Sequence, residues 1–308
     1  MGDIIHALPA VASLKHSFPG SHLTWLVEAR WAPLLEQNPY IDQIAILERG
    51  SPGAWLRNWR CLGAERFDFA VDFQGLVKSA LAASMARPER IFGLHQSQVR
   101  ERPAAFFYSN RILARADHIV ERNIEIAAAA GAANILRTFP LPKGNPEGEL
   151  PAGPFVLASP LAGWQSKQWP LAFYSRLARR VESELEMPFV LNGPHGTDLS
   201  SVTDAASHHS SVAGLIDATR RATAVIGVDS GPLHLAAALG KPGVAIFGPT
   251  NPARNGPYGD SICVLRSHNA ATSYKRNSDI DPAMRAIDPD RVFEALKNQL
   301  CSTRCAAP

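Results

Sequence analysis

The residues with the most to offer chemically lie where apolar runs give way to Gly, Ser, Thr and Asp. Gly227-Val228-Asp229-Ser230-Gly231-Pro232-Leu233-His234 closes one apolar run and opens a helical pattern that ends at Gly240-Lys241-Pro242. Asp229 and Ser230 are helix-capping types, Gly231 would let a ligand approach the backbone, and the free N–H groups and dipole of a helix start favour a phosphate. Two readings stand side by side: Asp229 caps the helix while His234 packs under a sheet, or both belong to an anion site. A second turn of the same kind, Phe247-Gly248-Pro249-Thr250-Asn251-Pro252, again brings glycine and hydroxyl groups to a strand end.

A third turn, Trp164-Gln165-Ser166-Lys167-Gln168-Trp169-Pro170, sets one lysine just before a helix entry. Lys167 is either a solvated surface lysine or the cation that meets a diphosphate leaving group. At the chain start, Asp3 is placed at the mouth of a first helix. It reads as an N-cap or as a general base that takes a proton from an attacking hydroxyl, and residue type alone leans to the cap. Arg57, Arg60, Arg66, Lys78, Arg100 and Arg102, interleaved with Trp55, Trp59 and Phe106, form a basic and aromatic set. Guanidinium forks suit phosphates and carboxylates, and rings suit sugar faces; solvated surface is the plainer alternative.

Such turns need strands behind them and helices ahead of them. Apolar spacing predicts helix over 3–18, strand over 22–27, helix over 31–37 and strand over 41–47. After a polar and basic stretch come strand 69–73, helix 76–85, strand 90–93, a basic loop and helix 118–130. Residues 140–154, rich in Pro, Gly and Glu, have neither period and read as a linker, with the domain boundary near 150. Alternation then resumes: strand 155–158, helix 170–181, strand 189–192, helix 212–222, strand 224–228, helix 232–239 and strand 243–247. A last helix starts at Asp288, with Val292, Leu296 and Leu300 on one face, and is expected to pack across the domains. Strand–helix alternation implies parallel sheets with helical crossovers, hence an α/β chain of two doubly wound, Rossmann-like domains, 1–150 and 151–308, facing a cleft.

Composition narrows the function classes. A chain of 308 residues that is 46% hydrophobic and 19% charged can bury two ordinary cores. A net charge of +3 is too small for a nucleic-acid footprint. No apolar run approaches a membrane span and no secretory signal opens the chain, so the expected location is cytoplasmic. Cys61, Cys263, Cys301 and Cys305 lack zinc spacing and read as reduced thiols. No G-x-G-x-x-G follows the first strand of either half, which disfavours a nicotinamide oxidoreductase.

Several of these stretches together resemble the lipopolysaccharide heptosyltransferases, glycosyltransferase family 9. The likeness covers nearly the whole chain: Met1-Gly2-Asp3-Ile4-Ile5-His6-Ala7-Leu8-Pro9, Val71-Asp72-Phe73-Gln74-Gly75-Leu76-Val77-Lys78-Ser79-Ala80, Lys167-Gln168-Trp169-Pro170, Asp229-Ser230-Gly231 with His234, and Phe247-Gly248-Pro249-Thr250 follow in family order. Gln74 to Lys78, Arg100-Glu101-Arg102-Pro103 and Pro257-Tyr258-Gly259 look most like the heptosyltransferase I branch.

The resemblance implies a GT-B fold and inverting, metal-independent transfer of heptose from ADP-heptose to Kdo of Kdo2-lipid A, without a cofactor. It also implies Asp3 as base, Lys167, Asp229, Ser230, Gly231 and His234 at the donor, and Arg57, Arg60, Lys78, Arg100 and Arg102 at the acceptor. The expected location becomes cytoplasmic and peripheral on the inner face of the inner membrane, where that acceptor lies. No Asp-x-Asp pair stands in a loop suited to a metal-diphosphate.

The chain departs from the family at three places. It opens on the Gly-Asp motif, where members have a preceding hydrophobic strand, so either the start lies further upstream or the first sheet lacks its central strand. Ser159-Pro160-Leu161-Ala162-Gly163 replaces a threonine-rich segment, and Asp198 is the nearest acid to the ribose-binding position. The alternatives are a heptosyltransferase acting on a later core heptose, or a sugar-nucleotide-binding module impaired by the absent strand.

Overall fold

Every strand pairing among the described residues is parallel, so the chain must return through a crossover after each strand. The computed structural model describes residues 1–48 and 50–306, except for the side chains of residues 52, 55, 61 and 303–306, so Trp55, Cys61 and Cys305 of the sequence reading lie outside the described side chains. The chain divides into two compact units, Asp3–Pro142 and Lys143–Pro308, the latter including Met1–Gly2. The division precedes the boundary expected near 150 because the Pro/Gly/Glu stretch packs on the second unit. There Glu147 accepts hydrogen bonds from the Ser211 N–H and hydroxyl, and its carbonyl accepts one from the His208 ring.

The first unit begins with α1 (Gly2–Ser17), in which Ile5 through Leu14 are all buried. β1 (Thr24–Val27) and β2 (Gln43–Ile46) follow, linked through a 3₁₀ turn at Ala29–Leu34 in place of the helix expected over 31–37. The polar and basic stretch contains α2 (Pro52–Gly63), whose start is set by Ser51 accepting from Ala54 N–H and by a proline in the first turn. Next come β3 (Phe69–Asp72), α3 (Val77–Met85), β4 (Arg90–Leu94), β5 (Asn110–Ile112) and α4 (Ile119–Ala129).

In the second unit β6 (Val156–Ser159), α5 (Leu171–Leu185), β7 (Phe189–Gly193), β8 (Ala206–His209), α6 (Val212–Arg221) and β9 (Ala224–Val228) are followed by α7 (Gly231–Ala238) and β10 (Gly243–Phe247). α8 (Pro252–Asn255), β11 (Ile262–Arg266), α9 (Pro282–Arg285) and α10 (Pro289–Ala306) complete it. The six strands lie in the order β8-β7-β6-β9-β10-β11, which, counted from β6, is the doubly wound order 3-2-1-4-5-6. Alternate residues fill two cores. Val156, Ile226 and Ile246 join α5 and α10 residues on one face, and Leu157, Val225 and Ala245 join Ala218 and Leu233 on the other. α10 buries Val292, Phe293, Leu296 and Leu300 in the first of these cores, against α5 and the sheet of its own unit.

The first unit differs. Its strands form two sheets, β1-β2 and β3-β4-β5. These pairings are those of the order 3-2-1-4-5-6 without its first strand. Thr24, Trp25 and Leu26 of β1 and Phe69, Ala70 and Val71 of β3 are only half-buried, whereas β6, β7, β9 and β10 are buried along their length. An edge strand holds its outward amides only to water. Hydrogen exchange should therefore be at least about 100-fold faster for β1 and β3 amides than for those of β6 and β9. Equal protection of the two sets would contradict the split sheet.

Candidate functional site

In an open parallel sheet the crevice for a ligand lies beyond the carboxyl ends of the two strands where the winding reverses. In the second unit those strands are β6 and β9, which pair through Val156–Ala224 to Ser159–Gly227. The segment after β6 ends in a 3₁₀ turn, Gln165–Lys167, and β9 runs through Asp229 into α7. The lysine and the aspartate, distant in sequence, thus arrive at one point: Lys167 Nζ donates to Asp229 Oδ2 at 2.6 Å.

Asp229 is only 8% exposed, and its other oxygen lies 3.6 Å from His234 Nε2. Burial alone would push its pKa up, but the His234 hydrogen bond and the Lys167 charge more than offset it, and the carboxyl stays ionised well below the ordinary carboxylate range. Lys167 also lies 4.3 Å from the centroid of the Trp164 ring, and Arg276 stands 5.5 Å from the same ring.

The helix that follows is not closed by the caps its sequence offers. Ser230 holds the N-cap position in an extended conformation but makes no side-chain cap hydrogen bond. Asp229 is committed to Lys167 and His234. Pro232 has no N–H, so the backbone donors of the first turn come from Gly231 and Leu233. A Cβ on Gly231 would lie 2.7 Å from Met1 Cβ, which explains glycine there by close approach of the chain's own first residue. The hydroxyls of Ser166, Ser230 and Thr250 are buried and have no hydrogen-bond partner among the described residues. A dipole-positive helix end, an ammonium and unpaired hydroxyls at the ends of adjacent strands make an arrangement suited to a phosphate-bearing ligand.

The first unit places the remaining candidates. Asp3, in the first turn of α1, accepts from Arg100 Nη1 at 3.0 Å, and both side chains are about half exposed. Lys78 pairs with Glu28 at 3.3 Å, and Arg57 Nε donates to Glu48 at 2.8 Å. Arg60 and Arg102 are exposed. The turn that carries Lys78 is built on Asp72, a buried carboxyl that accepts from Tyr108 OH, Ser79 Oγ and the N–H groups of Gln74 and Gly75. Burial raises the Asp72 pKa against those hydrogen bonds. Gly75 has φ +68°, and a Cβ there would meet Val99 Cγ2 at 2.8 Å. The Gly75 carbonyl accepts from Glu101 N–H, and Glu101 accepts from Val77 N–H, which ties the Lys78 turn to the Arg100–Arg102 stretch.

The structure thus brings Lys167, Asp229, Ser230, Gly231 and His234 together, and separately joins Asp3 to Arg100. Arg57 and Arg60 stand apart on α2. Asp198 turns back on Ser200, accepting from its N–H and hydroxyl. Asp281 caps α9, and Asp288 accepts from Asp290 N–H at the start of α10. Trp164, Ser166, Thr250 and Arg276 join the site's surroundings without having been singled out as ligands. The buried state of the two hydroxyls has no sequence signal, and Arg276 meets Trp164 only through tertiary folding.

Residues 55–283 match the family model for glycosyltransferase family 9 (heptosyltransferase). The chain is 30% identical to lipopolysaccharide heptosyltransferase 1 of Pseudomonas aeruginosa, over 99% of its own length and 91% of that protein. It is 27% identical to lipopolysaccharide heptosyltransferase 1 of Escherichia coli K12, over 87% and 91% of the two chains. Its fold superposes on the structure of the E. coli heptosyltransferase WaaC with ADP at a TM-score of 0.76, with 22% identity and coverage of 97% and 96%. On the extent of the family match and the full-length relative, this chain belongs to glycosyltransferase family 9, the heptosyltransferases.

Proposed function

We propose that the protein transfers L-glycero-D-manno-heptose from ADP-heptose to Kdo of Kdo2-lipid A in lipopolysaccharide inner-core synthesis. The observation that carries the donor half is the Lys167–Asp229 pair beside an α7 start left without a side-chain cap. ADP as leaving group develops charge on its diphosphate as the anomeric bond breaks. Lys167 and the Gly231 and Leu233 N–H groups would stabilise that charge, and Asp229 would hold the lysine in place. The second unit is then the donor domain and the first the acceptor domain. Asp3 would take the proton from the Kdo hydroxyl as it attacks in line and inverts the anomeric carbon, while Arg57, Arg60, Lys78, Arg100 and Arg102 meet the acidic acceptor. The place of action is the cytoplasmic face of the inner membrane.

A second reading draws on the split sheet of the first unit: a module that binds the sugar nucleotide without transferring the sugar. Radiolabelled heptose transfer from ADP-heptose to Kdo2-lipid A separates the two, since product supports the enzyme and tight ADP-heptose binding without product supports the module. Product only with an acceptor that already carries core heptose would move the assignment to a later step.

Replacing Asp3 with Ala should lower kcat by about 100-fold to 10,000-fold and leave the donor Kd within about threefold, the pattern of a group that acts in proton transfer. Near-normal turnover would remove Asp3 from the mechanism. Lys167→Gln should weaken ADP-heptose binding roughly tenfold or more and also slow transfer; calorimetric titration showing an unchanged Kd would contradict the phosphate role. Because the folded pKa of Asp229 is depressed, its charge stabilises the fold above the ordinary carboxylate value of 3.8 and is lost only as pH falls through the lower folded value. Thermal melts of the wild type and Asp229→Asn should keep a constant separation from about pH 8 to about pH 5 and converge only below about pH 4. Convergence near neutrality would show that the carboxylate is not held ionised by its partners.

A further inference from the structure

Outside the sites described above, the largest exposed apolar side chains are in the first unit, at the carboxyl ends of β4 and β5. Phe106 is 76% exposed and Leu113 65% exposed, the highest values among the large hydrophobics of the described residues. The segments that carry them are neighbours. Phe106 lines a depression of about 450 Å³ with His95, Gln96, Ser97, Arg102 and Pro103. The strand end that carries Leu113 runs beside the same segment. Ile112 carbonyl accepts from His95 N–H, and the Gln98 amide bonds both the N–H and the carbonyl of Ala114. Leu113 is therefore held outward by fixed neighbours on either side.

The charge carried by this stretch of chain is mostly positive. Between residues 95 and 115 the chain carries four arginines, Arg100, Arg102, Arg111 and Arg115, against a single acid, Glu101. The excess of three equals the net charge of the whole chain, +3. Glu101 accepts from the Val77 N–H, Arg100 is paired with Asp3, and Glu125 accepts from the Arg115 and Ala116 N–H groups. All four arginines are exposed, and Arg102 and Arg111 carry the positive charge nearest Phe106 in sequence. A protein partner would need a large complementary acidic and apolar face. A bilayer rich in anionic headgroups offers both properties at once, with phosphates at the depth of the guanidinium groups and acyl chains beneath them.

We infer that this face docks the protein on an anionic membrane surface, with Phe106 and Leu113 inserting at the headgroup boundary, Arg102 and His95 receiving a lipid phosphate in the depression, and Arg111 and Arg115 meeting neighbouring headgroups. The inference deepens the proposed function, on which it rests for the acceptor being a lipid, and it gives the acceptor domain a means of reaching a substrate embedded in the bilayer. The arginines supply long-range attraction that salt screens, and the two apolar side chains supply a salt-resistant hold.

The test is co-sedimentation of the full chain with vesicles of phosphatidylcholine alone and of phosphatidylcholine with phosphatidylglycerol. The wild type should bind the anionic vesicles and leave the neutral ones largely free. The double variant Phe106→Ser, Leu113→Ser should bind roughly tenfold more weakly, and Arg111→Glu about fivefold more weakly or worse, with unchanged circular dichroism and unchanged ADP-heptose affinity. Equal binding to both vesicle types, or undiminished binding by the double variant, overturns the proposal. So does a finding that the double variant alters self-association and not vesicle binding, which would make the face a contact between copies of the chain. A wild type that binds anionic vesicles through these residues but transfers no heptose would refute the transfer reading and leave the docking surface standing.

Discussion

A carboxylate buried at the end of a strand stays charged only if positive charge is brought to it, and the second unit is arranged around that requirement. Asp229 follows β9 and Lys167 follows β6, strands that are neighbours only because the winding reverses between them. The ion pair is therefore a product of topology: without the β6–β9 pairing the lysine would be an ordinary surface cation. The pair also fixes what the adjoining helix can do. With Asp229 occupied and Ser230 not bonding back, α7 begins with donors that no side chain among the described residues has taken. The arrangement is suited to an anion, with a cation already held in place beside it.

The first unit contains a useful contrast. Asp72 also sits buried at a strand end, but among the described residues no cation meets it, only Tyr108, Ser79 and two backbone N–H groups, and its pKa is raised where that of Asp229 is lowered. A carboxyl of the first kind organises structure: it shapes the turn from Asp72 to Ser79 and, through Gly75 and Glu101, sets the relation of Lys78 to Arg100. A carboxyl of the second kind holds charge in a place where a ligand can use it. The same residue type, at equivalent positions in parallel sheets, is assigned its role by whether a basic side chain arrives from the next strand.

Much of this was legible in the sequence because parallel sheets bury strands on both faces and so leave continuous apolar runs, as in β6, β7, β9 and β10. The short edge strands β5, β8 and β11 were not, since Asn110–Ile112 and Ala206–His209 are polar and Ile262–Arg266 is only partly buried. α2 was hidden by its polar, arginine-bearing face. The residue 29–34 turn took 3₁₀ form, with Pro33 inside it, where a helix was expected. Among site residues, the glycine- and hydroxyl-rich turns announced themselves by composition. What the sequence could not reveal was pairing: that Lys167 reaches Asp229, that Arg100 reaches Asp3, and that Arg57 and Lys78 already have acidic partners. Those are long-range contacts, set by sheet order and not by spacing along the chain.

The central claim is that a nucleoside diphosphate binds at the reversal point, on α7 and Lys167. A crystal structure of the chain grown with ADP tests it most directly. The account predicts the terminal phosphate within hydrogen-bond distance of Lys167 Nζ and of the Gly231 or Leu233 N–H. ADP bound at another strand end, with Lys167 still paired only to Asp229, would contradict it.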